Sequence, residues 1–266
     1  MVDSSGYATN EVMLVKDDED CRSRLALNHD PSAKRGTSAF TLWLMAGFAG
    51  AGKTTLAQWL DKKLEEDNDL NEWKIVSRDA LKLRRLEQGE QEEQAGYNAF
   101  EDMLRVVQKE VVKQGRMVVV DTSNERPFIV DTINKMLQSI EEQHGIHIQL
   151  KVILCVANEE IRAARLHRRG SMFAPHVQTL PDVLDDSQWV KRFHHLFASD
   201  PAILVEFEAL LSNPTQWENW QEPVNLKHKV LIVNTNHPFD TYAPEVWAKF
   251  KQINLLEKNK FSSPSW

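Results

Sequence analysis

Residues 41–55 read Thr-Leu-Trp-Leu-Met-Ala-Gly-Phe-Ala-Gly-Ala-Gly-Lys-Thr-Thr. A strand-like apolar run ends at Gly47, and the spacing G-x-x-x-x-G-K-T closes at Gly52, Lys53 and Thr54. This is the pattern of a phosphate-binding loop. Its glycines let backbone N–H groups turn inward toward phosphate oxygens with no side chain in the way. Lys53 is placed to bridge the outer phosphates, and the Thr54 hydroxyl to ligate Mg²⁺. Leu56, Leu60 and Leu64 mark an amphipathic helix directly after the loop, and its positive end faces the same anion. The candidate nucleotide-binding set is therefore Gly47, Gly50, Ala51, Gly52, Lys53, Thr54 and Thr55. A Gly/Ala-rich turn without a ligand does not explain why Lys and Thr follow Gly52.

Working outward, 266 residues leave room for one large α/β domain or two small ones, and 42% hydrophobic residues suffice for a real core. No apolar run approaches the roughly 20 residues that span a bilayer. The first residues are polar and acidic (Asp3, Glu11, Asp17 to Asp20), unlike a secretory leader. The two cysteines, Cys21 and Cys155, fall in a polar stretch and an apolar strand, so no disulfide is expected, and a cytoplasmic location is. Neither cysteines nor histidines have zinc spacing. A net charge of −7 argues against a protein that coats nucleic acid. It still leaves two basic clusters: Lys82, Arg84 and Arg85, and Arg162, Arg165, Arg168 and Arg169.

Residues 1–38 show no sustained periodicity and read as an acidic extension. Strands are expected at 41–46, 73–77, 116–121, 148–155 and 228–234. Helices are expected at 53–67, from near Asp79, and at 92–114, 126–142, 157–168, 186–197 and 243–256. The alternation predicts an α/β fold, a parallel sheet sandwiched by helices, over 39–258 with a tail at 259–266. Residues 198–226, with Pro214, Trp217, Trp220 and Pro223, read as an irregular insertion whose tryptophans anchor packing. Ligands of such sheets sit at the carboxyl ends of the strands. That rule gathers Gly47–Thr55, Ser77–Asp79 and Asp121–Asn124 at one edge.

Three further segments fit phosphoryl transfer. In Val76-Ser77-Arg78-Asp79, a carboxylate just past the second strand is placed to take the proton of an attacking hydroxyl. Asp79 also suits a helix N-cap, and Lys82 shares its helix face, either to hold a substrate phosphate or to pair with Asp79. In Val118-Val119-Val120-Asp121-Thr122-Ser123-Asn124, Asp121 ends a β-branched run where a second carboxylate orients Mg²⁺ water or substrate. A solvent-facing strand end is the plainer alternative. Asn124 and Arg126 add substrate contacts, or Ser123 or Asn124 caps the next helix. In residues 161–170, Arg165 and Arg169 are four apart on one helix face, followed by Gly170. Such a pair suits an arginine-bearing lid over the equatorial oxygens, or a basic helix end facing the macrodipole.

The order of these motifs, ending in R-x-x-x-R-G-x-x-x-A-P at Arg165 to Pro175, resembles the P-loop 5′-hydroxyl polynucleotide kinases of bacteriophage and tRNA-repair systems over roughly residues 41–200. The resemblance implies ATP (or GTP) as donor, Mg²⁺, and the 5′-OH end of RNA or DNA as acceptor, with no membrane. It implies Lys53 and Thr54 on the nucleotide phosphates and metal, Asp79 as general base, and Asp121 in the acceptor or metal-water network. It also implies Arg169 as the lid arginine on the donor phosphates, with Arg165 supporting it. The acceptor side would be Lys82, Arg85, Asp121 and Asn124. Lys82 stands where the family usually has an acceptor-binding arginine, and lysine lacks the bidentate fork. No D-x-D-x-T phosphatase motif is present. The wider P-loop kinase group, acting on nucleosides, sugars or modified bases, shares most of these motifs, and a regulatory ATPase without an acceptor is a third possibility.

Overall fold

The computed structural model describes residues 39–67, 73–114, 117–122, 127–168, 188–197, 200–212 and 219–262. Its strands are β1 (Ala39–Ala46), β2 (Trp73–Ser77), β3 (Met117–Asp121), β4 (His147–Val156), β5 (Val224–Leu226) and β6 (Val230–Asn234). Its helices are α1 (Lys53–Glu66), α2 (Arg78–Glu87), α3 (Glu92–Gln114), α4 (Pro127–His144), α5 (Glu159–Arg168), α6 (Gln188–Phe193), α7 (Pro201–Leu211) and α8 (Phe239–Ser262). The strands form one sheet in the order β2-β3-β1-β4-β6-β5.

Side chains alternate across the sheet, and both faces are covered. Trp43 and Met45 of β1 join Leu56 and Leu60 of α1 and Phe250 of α8 in one core. Leu42 and Leu44 join Met103 and Val107 of α3 and Ile133 of α4 in the other. A strand buried on both faces must be apolar at every position, which is why residues 42–46 and 118–120 read as unbroken runs.

The sheet is mostly parallel, as expected, and departs from that only at one edge among the described residues. β5, at the edge of the sheet, runs antiparallel to β6, while the other pairs are parallel. The β5–β6 turn puts two non-glycine residues at positive φ, Lys227 (49°) and His228 (59°), and closes with Lys229 N donating to Leu226 O at 2.9 Å. Two successive positive φ values give the turn a twist that matches paired strands. Residues 198–226 are accordingly more regular than expected, since they contain both α7 and β5. Trp220 packs against the core, while Trp217 lies outside the described residues. At the other end, α8 continues to Ser262, beyond the expected boundary at 258. No helix among the described residues is long and apolar enough to cross a membrane.

Strand register sets up the site. Asp121 pairs with Met45 on one side and Ser77 on the other, so three strand ends finish side by side. The chain leaves β1 toward β2 and leaves β4 toward β5, at opposite edges of the sheet. A crevice opens where neighbouring connections diverge in this way.

Candidate active site

The loop after β1 is pressed against its neighbours. Gly47 has φ 135° and Gly50 φ 79°. A Cβ on Gly47 would lie 2.3 Å from Cys155 O, and one on Gly50 2.7 Å from Arg162 O. Both positions therefore need glycine for conformation and for space. Gly52, also left-handed, caps α1 without a side-chain bond. Lys53 Nζ donates to Gly47 O at 2.7 Å and Phe48 O at 2.9 Å, so its ammonium spans the loop. A backbone cradle with a cation across it fits the phosphates of a nucleotide.

Asp121, only 3% exposed, stands beside this loop. Ser77 Oγ donates to Asp121 Oδ2 at 3.2 Å, and Thr54 hydrogen-bonds the same carboxylate. Burial raises its pKa above the ordinary 3.8. Lys53 opposes the rise, Asp79 adds to it, and the bonds from Ser77 and Thr54 oppose it. A loop hydroxyl held on a buried carboxylate is a donor pair suited to Mg²⁺, whose chemistry when bound is to neutralise charge on bridging phosphate oxygens.

This burial has a measurable consequence. A carboxyl whose folded pKa is raised favours the fold below its unfolded pKa, and that contribution is lost as pH rises through the folded value. Ionising Asp121 therefore costs more in the fold than in the unfolded chain. Asp121→Asn is expected to raise the Tm of the ligand-free protein at pH 7 while abolishing most Mg²⁺-dependent turnover. The gain in Tm should shrink as pH falls toward 3.8. Thermal unfolding of both proteins across that range checks it, and a lower Tm for the Asn variant at pH 7 would contradict it.

Asp79 is exposed in the first turn of α2. It is not the N-cap. Ser77 holds that position, its Oγ accepting from Ala80 N at 3.4 Å. Ser77 thus links the start of α2 to Asp121, and Asp79 lies within electrostatic reach of Asp121. Lys53, Thr54, Asp79 and Asp121 are brought together at one edge of the sheet.

The arginines of α5 divide differently from the expected basic lid. Arg162 is fully buried, with Nε donating to Ala157 O at 2.8 Å. Its guanidinium carbon lies 4.9 Å from the Phe48 ring and 5.4 Å from that of Trp189. Arg165 donates to Gly50 O at 3.2 Å, Thr235 Oγ1 at 3.1 Å and Thr235 O at 2.5 Å. It braces the phosphate loop from behind. Arg168 is exposed, and Arg169 lies outside the described residues.

Phe48, within the loop itself, is fully buried against Trp189 at 4.3 Å and Phe193 at 5.1 Å between ring centroids. α6 therefore fixes the loop through aromatic packing. Trp189→Ala should destabilise the protein by about 3–5 kcal/mol in urea unfolding and weaken nucleotide binding, with Trp189→Phe in between. A loss below about 1 kcal/mol would show that this contact does not hold the loop.

On the acceptor side, the expected cations are matched by carboxylates. Lys82 Nζ pairs with Glu92 Oε1 at 2.9 Å. Arg85 bridges Glu90 and Asp102, each at 2.5 Å, tying α2 to α3. In the ligand-free fold Arg85 serves as a tie between these helices. Asn124 lies outside the described residues, as do Ser123 and Arg126. Between α2 and α3, Arg78 Nη2 donates to Gly96 O at 3.1 Å. Gly96 lies inside α3, where glycine costs about 1 kcal/mol relative to alanine.

Two residues escaped the sequence reading. Thr235 follows β6. Its Oγ1 donates toward Ala51 O at 2.9 Å with Val156 O at 3.1 Å, joining the loop to β4 and β6. Asn236 Oδ1 accepts from Asn158 N at 2.8 Å in front of α5. The polar run Asn234-Thr235-Asn236-His237 after an apolar strand is the signal that could have found them. Cys155 is the expected small core residue, its thiol pushed up to about 12 by burial. No cluster of three His, Cys, Asp or Glu suited to a metal occurs among the described residues.

Several solved structures resemble the chain loosely. A gluconokinase from Sinorhizobium meliloti shares 15% identity at a TM-score of 0.43, over 84% of this chain and 98% of that one. A sugar kinase from Janibacter sp. shares 12% at 0.39, over 81% and 95%. A chain of the Pnkp1/Rnl/Hen1 RNA repair complex shares 22% at 0.36, over 52% and 40%. No curated protein sequence matches the chain. The profile of the AAA domain family matches residues 42–185, more than half of the chain, and the chain belongs to that family.

Proposed function

We propose that this protein is an ATP-dependent phosphotransferase that delivers the γ-phosphoryl group to the 5′-hydroxyl of RNA or DNA. The observation that carries the reading is the convergence of Lys53, Thr54, Asp121 and Asp79 at adjacent strand ends. In this reading the acceptor hydroxyl oxygen forms a bond to the γ-phosphorus as the bond to the leaving ADP breaks, and Asp79 takes the hydroxyl proton. Lys53 offsets charge on the transferred group. Thr54 and Asp121 would hold Mg²⁺, which would supply neutralisation of the phosphate charge. Arg169, on the resemblance above, would close over the donor phosphates.

A second reading, a kinase of a nucleoside, sugar or modified base, is favoured by the pairing of Lys82 with Glu92 and of Arg85 with Glu90 and Asp102. That pairing leaves less positive charge for a polyanionic acceptor. Incubation with γ-labelled ATP and Mg²⁺ separates the two. Label on the end of a 5′-OH oligonucleotide supports the first, and label on a free nucleoside or sugar the second. ATP loss with no acceptor labelled would overturn both.

A further inference from the structure

An open surface depression of about 410 Å³, called the cavity below, lies between α2 and α3, lined by Arg78, Lys82, Glu92, Glu93, Gly96 and Tyr97. Arg78 and Lys82 stand one and three residues from Asp79 on α2, so the cavity and the proposed base share a helix. Its two cations are balanced by its two carboxylates, and Lys82 already pairs with Glu92. It is therefore a poor cage for a phosphate. Tyr97 is 64% exposed, an aromatic ring left at the rim. A methyl on Gly96 would meet Arg78 Nη2 at 3.7 Å and the Lys82 Cε at 3.9 Å, both ordinary contacts. Packing does not demand glycine there, and the missing side chain leaves the cavity floor open. Phe100, one turn along α3 from Tyr97, touches Phe128 of α4, itself 54% exposed, at 6.3 Å between centroids. Phe100 is itself buried, so Tyr97 and Phe128 are separate exposed rings on either side of it.

We propose that this cavity receives the nucleobase of the acceptor's terminal nucleoside, stacked on Tyr97. The ligand class follows from the lining. A flat, uncharged ring bearing N–H groups matches an aromatic face beside two carboxylates in a site with no net charge. The volume is within the range of small-molecule sites. The acceptor is then selected through its base, and Asp79 sits on the adjoining turn of the same helix. This inference rests on the phosphotransferase reading of the same site.

The test uses the full chain and two 5′-OH oligonucleotides, one with an ordinary terminal nucleotide and one with an abasic terminal sugar. For the wild type, removing the base should raise acceptor KM by about tenfold or more, the scale of one stacking contact. Tyr97→Ala should raise KM for the ordinary acceptor by a similar factor, keep kcat within about twofold, and abolish the penalty for the missing base. Tyr97→Trp should restore discrimination, and Gly96→Val, which fills the floor, should reproduce the alanine pattern. An abasic penalty unchanged in Tyr97→Ala overturns the proposal. Nucleoside binding followed by saturation-transfer NMR is read in parallel without turnover. If the wild type labels no acceptor, the phosphotransferase reading fails. Nucleoside binding that Tyr97→Ala removes would still uphold the cavity, and no nucleoside binding by the wild type would overturn it as well.

Discussion

Lys53→Met is expected to lower turnover by about 10³-fold, with weaker nucleotide binding and an intact fold. The ammonium already spans the loop by donating to Gly47 O and Phe48 O. Its departure leaves those carbonyls without that donor, at about 0.5–1.5 kcal/mol each, so Tm should fall by only a few degrees. The loss in rate is larger because charge builds on the transferred phosphoryl group, where a positioned cation contributes most. Lys53→Arg should not rescue it. The planar guanidinium cannot occupy a point between two carbonyls that a compact ammonium fills, and the loop is already packed against Cys155 O and Arg162 O. Steady-state rates, nucleotide titration and thermal unfolding together check this. Turnover within about threefold of wild type would show that Lys53 serves only to close the loop.

Residues whose partners are local, or lie on the next strand, were readable from the chain. The run 41–55 located β1, the loop and α1, because glycine spacing and a four-residue apolar repeat carry their own geometry. Asp121 and Ser77 were placed at one sheet edge before their register was known, because both end apolar strands. Partners distant in sequence were not readable. Arg85 meets Asp102, seventeen residues on, only after α2 folds back on α3. Arg162 looked like part of a charged face because its neighbours are arginines. Yet Arg162 and Leu166, four apart, form the buried side of α5, and the helical phase held that information while the residue type concealed it. Helix α7 was missed although Asp200 and Pro201 open it and Ile203, Phe207 and Leu211 repeat every four residues. The tryptophans and prolines that follow break the period over the rest of the segment. The β5–β6 hairpin was hidden for a different reason. Its positive-φ turn uses Lys227 and His228, which carry none of the usual Asn-Gly signal.

Asp79→Asn is expected to reduce kcat by about 10²–10⁴-fold with little change in ATP affinity, the range for losing a positioned general base. The fold should tolerate it well. Asp79 is exposed, and Ser77, not Asp79, caps α2, so the variant loses at most the helix-dipole contribution of about 0.3–1 kcal/mol. Asp79→Glu should recover part of the rate, since it keeps the carboxylate while moving it. A second readout comes from Asp121. Asp79 helps to raise the Asp121 pKa, so removing its charge should lower that pKa toward the ordinary carboxylate range, visible by NMR titration. The two measurements separate the possible roles. A lowered Asp121 titration with an unchanged kcat would leave Asp79 a neighbouring charge at a helix start and take the base assignment away from it. A collapsed kcat with an unshifted Asp121 would mean that the two carboxylates are electrically independent, so the residual rate of the Asp79→Asn, Asp121→Asn double variant should then equal the product of the single losses. If both shift together, the double variant should lose less than that product, because each carboxylate changes the charge state in which the other works.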